Sequence, residues 1–254
     1  MASPELTNWL YVFIRVSALM VALPVFTAAP VPVPVRVSLC ALTAMIVSPL
    51  LAAPPLAVNV WDVFRLMISE TLIGLLLGFV CRFIFFAVEF AGGLISMEMG
   101  LSMSTIFNPI SPSTTPVTSM ALYWLALVMF LSLDLHHWVL VGIQRSYTFS
   151  PIGAAHLREA LFNDVVRRSG RIFVIALQIA APVMAVSFLI TLVFAVLGRA
   201  VPQMNVFNEG TTARTLAGLL TFGLTCTLMG QHIANYLRRL PEDMMRVAQM
   251  LGSG

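Results

Sequence analysis

Long apolar runs alternate along the chain with short polar or proline-rich breaks. A helix needs about 20 apolar residues to cross a bilayer core, and six of the runs are long enough. They cover residues 8–29, 37–61, 66–97, 120–144, 172–198 and 215–237. Only helices satisfy their own backbone in lipid, so the pattern predicts an all-α, membrane-associated protein of helical hairpins. Pro24, Pro49 and Pro182 are expected to mark helix ends or kinks.

Two segments depart from this pattern. The stretch "APVPVPV" (29–35) predicts a rigid extended connector, because proline fixes φ and removes a backbone donor. In residues 155–171, Leu157, Leu161 and Val165 recur every four residues, with Arg and Asp on the other faces. That spacing predicts an amphipathic helix at an interface. Residues 172–198 and 215–237 then predict a helical hairpin with a polar tip over 199–214.

Composition supports a membrane protein without a catalytic site. Of 254 residues, 59% are hydrophobic and 10% charged, whereas soluble domains carry about 25% charged residues. The net charge of +3 is too small and scattered for a nucleic-acid surface. We find no nucleophile motif and no glycine-rich phosphate loop, so neither an enzyme nor a cofactor is expected. The cysteines Cys40, Cys81 and Cys226 are expected to be buried small apolar residues.

Ionisable side chains interrupt the apolar runs. Glu70, Arg82, Glu89 and Glu98 lie in or beside apolar helix, where charges are costly and face a protein interior or a water-filled path. Alternatively, these segments never enter lipid and pack inside a protein assembly.

Small residues mark a close helix contact in the same run. Gly74 and Gly78 form a G-x-x-x-G pattern, which lets two backbones approach closely. Contact within the chain and contact between subunits are both compatible with this spacing.

The motif "DLHH" (134–137) is a candidate for metal chemistry. Adjacent histidines on a helix project from different faces, so His136 and His137 are not expected to chelate one ion. Asp134 and His137 can meet at i,i+3. We therefore predict a polar helix end and no metal site.

An uncharged segment separates two of the apolar runs. Residues 100–120, "GLSMSTIFNPISPSTTPVTSM", contain three prolines and nine Ser or Thr, with no charge. The prolines disfavour helix and the hydroxyls favour hydration. Three flexible, polarisable methionines, Met97, Met99 and Met103, lie beside or within it and suit either a compliant seal or ordinary core filling.

Four stretches in order carry a family resemblance. They are "RVSALMVALPVF" (15–26), "SETLIGLLLGF" (69–79), "AGGLISMEMGLSMSTIFNP" (91–109) and "GRAVPQMNVFNEG" (198–210). The series resembles the FliR family of flagellar export-gate proteins and its counterpart, the T subunit of type III secretion injectisomes. Thr211 stands where that family usually has proline, so the hairpin tip departs from the family pattern.

The resemblance implies a gate subunit of the bacterial inner membrane, in the flagellar basal body. Its implied partners are P-type and Q-type subunits (FliP, FliQ), an FlhB-like switch protein and unfolded export substrates. The chain would be one FliR-like domain over 1–254, with a P-type-like part (1–154) and a Q-type-like part (155–254). Much of the assembly would lie above the bilayer plane, so its charges would be buried in protein.

The resemblance also assigns two sets of site residues. The uncharged segment would plug the closed pore, through Ile106, Phe107, Asn108, Pro109, Ile110, Ser111, Pro112 and Pro116. The hairpin tip would lie toward the cytoplasmic entrance, with Arg199, Pro202, Gln203, Asn205, Phe207 and Gly210.

Alternative functions differ in what they require of the chain. A secondary transporter would use Glu70, Arg82 and Glu89 around a midplane site and should show an internal repeat, which we do not find. An intramembrane metalloenzyme built on Asp134 and His137 lacks ligands. Within the resembling family, the sequence leaves flagellar and injectisome systems open.

Overall fold

The computed structural model describes residues 4–27, 31–51, 59–101, 115–153, 159–203 and 205–252. Within these ranges the chain is helical and contains no β-strand, which confirms the all-α prediction. The helices are α1 (Pro4–Ala22), α2 (Pro24–Thr27), α3 (Val33–Val47), α4 (Val60–Glu98), α5 (Val117–Ser132), α6 (Leu135–Phe149), α7 (Glu159–Ala200), α8 (Val206–Leu237) and α9 (Leu240–Gly252).

Five of the described helical stretches are long and apolar enough to cross a membrane, or six if the bent pair α5–α6 is one span. Helices α4, α7 and α8 exceed a bilayer core of about 30 Å, and α4 and α7 exceed it most. Helix α4 has 39 residues and α7 has 42, which correspond to about 58 and 63 Å at 1.5 Å per residue. Each helix is therefore much longer than an untilted span of the hydrocarbon layer.

The sequence pattern suggested that the amphipathic segment is a helix of its own, but the structure shows otherwise. Helix α7 runs without interruption from Glu159 through the apolar run to Ala200. Arg168, expected on a polar face, is buried, and it pairs with Asp164 one turn earlier and with Asp243 of α9 at 2.7 Å. These ion pairs let a charged face continue directly into an apolar span.

The prolines behave differently according to their position. Helix α3 begins at Val33, so the predicted extended connector is wrong for residues 33–35. Pro34 occupies the first turn, where a backbone N–H has no intrahelical acceptor and the fixed φ suits a helix. Pro24 begins α2 and Pro49 lies in the 3₁₀ turn Ser48–Leu50, as expected of helix ends. Helix α7 continues past Pro182.

The apolar run 120–144 contains a sharp break that its hydropathy does not reveal. Helices α5 and α6 are bent by 68° at residues 133–134. Asp134 there adopts the left-handed conformation, with φ 55° and ψ 25°. A short polar side chain tolerates this conformation better than most, so the aspartate allows the turn between the two helices.

The chain divides into two compact units made of segments that are distant in sequence. Unit 1 comprises Met1–Phe83, Phe130–Arg168 and Leu237–Gly254, and unit 2 comprises Ile84–Met129 and Ser169–Tyr236. The division at residue 154 was predicted from similarity to P-type and Q-type subunits, which is a different criterion, and it stays a prediction.

The cysteines divide between core and surface. Cys40 and Cys81 are buried, whereas Cys226 is exposed on α8, where burial was expected. An exposed thiol on an apolar helix is compatible with lipid or with another subunit.

Candidate functional site

The C-terminal end of the uncharged segment is fixed to α4 by two hydroxyl groups within unit 2. Thr118 Oγ1 donates a hydrogen bond to the Gly92 carbonyl at 2.7 Å, and Ser119 Oγ donates to the Glu89 carbonyl at 2.9 Å. A Cβ at Gly92 would overlap the backbone of Ser119. The absence of a side chain at Gly92 therefore allows the close approach that both hydrogen bonds require.

The N-terminal end of the segment is fixed to α8, also within unit 2. Thr215 Oγ1 donates to the Met99 carbonyl at 2.6 Å. A Cβ at Gly218 would lie 2.7 Å from Met99 Cγ, so α8 packs directly on this turn. Gly100, two residues after the end of α4, has a φ of 74°, which suits glycine, and it lies beside Thr211.

A third contact secures the end of α4. Ser187 of α7 is fully buried, and its hydroxyl donates to the Glu98 carbonyl at 3.4 Å. Helices of unit 2 thus hold the chain immediately before and after residues 102–114. We call the side chains Thr118, Ser119, Ser187 and Thr215 the hydroxyl clamp. All of them are uncharged, and all donate to backbone carbonyls of α4 or the turn that follows it.

The predicted plug and seal lie only partly within the described chain. Ile106, Phe107, Asn108, Pro109, Ile110, Ser111, Pro112 and Met103 are outside the described residues. Pro116 is half-buried, and its carbonyl accepts the N–H of Met120 at the start of α5. Met97 is exposed whereas Met99 is completely buried, so the structure gives these two methionines different surroundings.

Glu70 is the centre of a buried polar network in unit 1. The side chains of Glu70 and Arg15 are both 0% exposed. Arg15 Nε donates to Glu70 Oε2 at 2.6 Å and its Nη2 donates to Oε1 at 3.0 Å, which makes the pair bidentate. Such paired, charge-assisted hydrogen bonds are the geometry in which a buried charge is best compensated.

The same arginine connects α1 to three further groups. Its Nη1 donates to Ser146 Oγ at 3.0 Å and its Nη2 to the Ser150 carbonyl at 3.1 Å. The Tyr147 ring lies 3.8 Å from the guanidinium carbon, a cation–π distance. The backbone N–H of Gly153 donates to Glu70 Oε1 at 3.3 Å. Since both carboxylate oxygens accept hydrogen bonds from the protein, Glu70 is poorly suited to binding a transported ion.

The other candidate charges differ from Glu70. Arg82, Glu89 and Glu98 are half-buried, so Glu70 alone of the four is fully buried. Glu89 and Glu98 also contribute backbone carbonyls to the hydroxyl clamp.

The G-x-x-x-G pair packs within the chain. A Cβ at Gly74 would overlap the Arg15 carbonyl, and one at Gly78 would lie 2.6 Å from Ala22 Cβ and 2.7 Å from the Leu19 carbonyl. The two glycines therefore bring α4 against α1, which places Glu70 within reach of Arg15.

The predicted hairpin of α7 and α8 is present within unit 2, with a turn between Ala200 and Val206. A Cβ at Gly210 would lie 3.5 Å from the Phe194 ring, and Tyr236 donates to Gln178 at 2.8 Å near the other end. Of the tip residues, only Gly210 is buried. The exposed ones are Arg199, Pro202, Gln203, Asn205 and Phe207.

Sequence reasoning did not identify Arg15 or the hydroxyl clamp as site residues. Arg15 carried a usable signal, because it is a charge inside an apolar run, like Glu70. Its pairing over 55 residues could not be derived from spacing. The clamp carried no signal, since Ser and Thr are abundant in the segment and its neighbours.

Comparisons with known proteins agree with one another. Residues 6–240 match the family of bacterial export proteins, family 1. The flagellar biosynthetic protein FliR of Pectobacterium carotovorum subsp. carotovorum is 31% identical over 253 residues, covering 95% of each chain. FliR of Bacillus subtilis (strain 168) is 29% identical, covering 96% of this chain and 95% of the relative. FliR of Escherichia coli (strain K12) is 29% identical over 96% of both chains.

Proposed function

Since the chain belongs to family 1 of the bacterial export proteins, among the FliR proteins of flagellar biosynthesis, we propose that it is a subunit of the flagellar export gate. In this proposal it assembles with P-type and Q-type subunits, FliP and FliQ, in the bacterial inner membrane. Together they form the channel through which unfolded flagellar proteins leave the cytoplasm, next to an FlhB-like switch protein. Its role is structural and gating rather than enzymatic.

The exposed apolar surface of the α7–α8 hairpin carries this proposal. In α4, 61% of the most apolar 18-residue stretch is buried, against 22% in Glu159–Ala200 and 22% in Val206–Gly252. Both helices of the hairpin carry large, exposed apolar side chains, such as Phe188, Leu220 and Leu224. A contiguous apolar surface of this kind indicates lipid or protein contact. Helices longer than a bilayer core favour protein contact for part of that surface.

Co-purification tests the assembly. The chain, carrying an affinity tag, is expressed with FliP and FliQ of the same organism, extracted in mild detergent and analysed by native mass spectrometry. We expect a heteromer containing all three proteins. A matched variant with Phe188→Ser and Leu224→Ser should lose subunits while the chain itself remains helical by circular dichroism. Recovery of the chain as a monodisperse monomer in the presence of both other proteins would contradict the proposal.

We propose further that residues 106–118 obstruct the passage at rest. The hydroxyl clamp supports this, because it fixes the chain on both sides of the segment while the uncharged, proline-rich sequence offers cargo no charge to bind. A helix in the same position would have to unfold cooperatively for each cargo, whereas a proline-broken segment is displaced without losing secondary structure.

Ion leakage tests the plug. Deletion of residues 109–116 in the assembled complex should raise the conductance of reconstituted membranes and the osmotic sensitivity of cells, with export reduced little. Substitution of the same residues by a Gly-Ser segment of equal length serves as the control for length. A deletion complex that assembles normally and stays as tight as the wild type would contradict the plug.

A further inference from the structure

The break between α5 and α6 brings three metal-ligating side chains together in unit 1. Asp134, His136 and His137 each offer one ligand atom, and these atoms lie within 4.8 Å of one another. His137 Nδ1 is 3.6 Å from Asp134 Oδ1, and the two imidazole ring centroids are 4.1 Å apart. The two rings were expected to diverge along the helix, so their convergence is a finding of the tertiary structure.

Asp134 has an unusual, left-handed backbone conformation. It is the one non-glycine residue with positive φ in the described ranges. It occupies the N-cap position of α6, yet its side chain makes no capping hydrogen bond. Asp is commonly used as an N-cap because its carboxylate accepts a backbone N–H. The carboxylate here is not used in that way, and its side chain is 74% exposed. Strained residues of this kind concentrate at functional sites.

His136 adds an independent observation. Its Nδ1 is buried and has no hydrogen-bond acceptor or donor among the described residues. Buried polar atoms are normally hydrogen-bonded, and an unsatisfied one costs about 1–3 kcal/mol. The imidazole is therefore incompletely satisfied by the protein, directly beside a second histidine and a carboxylate.

We propose that Asp134, His136 and His137 bind one divalent transition-metal ion of intermediate softness, of which Zn²⁺ is the typical example. Two imidazoles and one carboxylate match the donors that Zn²⁺ takes, while Ca²⁺ and Mg²⁺ prefer oxygen alone. Ligands of a tetrahedral Zn²⁺ at about 2.0–2.1 Å lie about 3.4 Å apart, close to the observed 3.6 Å between His137 Nδ1 and Asp134 Oδ1. Water completes the coordination.

Binding would fix the backbone turn at Asp134 against the first turn of α6. Asp134 belongs to the break itself, while both histidines belong to the first turn of α6. One ion joining them ties the strained residue to the helix that follows it. This inference is independent of the export-gate proposal, because it concerns only the described residues at this break.

Zinc titration of the purified full-length protein tests the site. The protein is treated with chelator, exchanged into metal-free buffer and titrated with Zn²⁺ by calorimetry. We expect one equivalent to bind in the wild type and to be lost in the double variant His136→Gln and His137→Gln. Co²⁺ should produce visible ligand-field bands in the wild type only. His232→Gln on α8 is the matched control and should leave stoichiometry and affinity unchanged.

Asp134→Asn keeps the test decisive if the histidine variant does not fold. Asparagine tolerates the left-handed conformation, so this variant removes the charge without changing the turn. Loss of an outer-shell partner lowers metal affinity about 10- to 100-fold. We expect the loss of a direct ligand in this variant to lower the affinity for Zn²⁺ by no less than that. Unchanged affinity in Asp134→Asn would identify an adventitious ion only and overturn the proposal. Equal stoichiometry in the wild type and the histidine variant would also overturn it.

Discussion

The buried polar contacts inside unit 1 differ in kind from those inside unit 2. Unit 1 contains a bidentate ion pair, Arg15–Glu70, with no solvent exposure on either side chain. In unit 2 the hydroxyl clamp joins helices through neutral hydroxyls that donate to backbone carbonyls. Loss of one partner costs about 3–5 kcal/mol for a buried ion pair, against about 1–3 kcal/mol for a buried neutral hydrogen bond. The comparison predicts that a single substitution costs more stability at the ion pair of unit 1 than at the hydroxyl clamp of unit 2.

Glycines serve both units in the same way, by bringing backbones into contact. Gly74 and Gly78 seat α4 on α1 in unit 1, and Gly92 seats α4 on the start of α5 in unit 2. The difference between the units therefore lies in the polar groups and not in the closeness of packing. Substitutions that separate these two contributions test the comparison.

The largest effect is expected from breaking the ion pair of unit 1. Glu70→Ala leaves Arg15 buried without its carboxylate, and loss of one member of a buried pair costs about 3–5 kcal/mol. We expect the yield of folded protein and the thermal unfolding midpoint in detergent to fall sharply. Replacement of the exposed Glu209 by Ala is the control and should change neither.

A double variant sharpens the same test. Arg15→Met together with Glu70→Leu removes both charges and fills the space, which is often neutral or stabilising for a buried pair. We expect the double variant to be more stable than Glu70→Ala. If Glu70→Ala unfolds at the wild-type midpoint, unit 1 does not depend on its ion pair and the contrast between the units fails.

An intermediate effect is expected from the glycine contacts. A Cβ at Gly74 meets the Arg15 carbonyl, so Gly74→Ala should destabilise the protein by the about 1–3 kcal/mol that overpacking costs. A Cβ at Gly223 of α8 would meet no neighbouring atom within 4 Å among the described residues, and Gly223→Ala should stabilise its helix by about 0.5–1 kcal/mol. Unfolding midpoints measured in one detergent compare the two. Equal midpoints for both variants would refute a backbone contact at Gly74.

The smallest effect is expected in the hydroxyl clamp. Thr215→Val removes the hydrogen bond to the Met99 carbonyl while keeping the shape of the side chain, and should cost about 1 kcal/mol. The matched control is Thr221→Val, because among the described residues the Thr221 hydroxyl donates to the Ala217 carbonyl of its own helix. Thermal midpoints and ion leakage of the reconstituted complex are the measurements. A larger loss at Thr221 than at Thr215 would show that the clamp contributes nothing specific.

Much of the fold could be predicted from local pattern, and the errors have identifiable causes. Apolar run length predicted the helices because hydropathy and backbone satisfaction are properties of consecutive residues. The extended connector was wrong at Val33–Val35, because proline is excluded from helix interiors but accepted in the first turn. The boundary between the amphipathic segment and the apolar run was wrong, because one helix continues through both. The burial of Arg168 was also missed, since its partner Asp243 is distant in sequence.

The sequence by itself determined that this is an all-α, apolar chain with charges in unusual places and an uncharged, proline-rich segment between two helices. Only the tertiary structure decided which groups those charges meet. Arg15 and Glu70 lie 55 residues apart, and the glycines of α4 bring them together. The left-handed turn at Asp134 likewise gathers a carboxylate and two imidazoles. Both arrangements depend on distances between separate helices or on one backbone torsion, and residue spacing along the chain fixes neither.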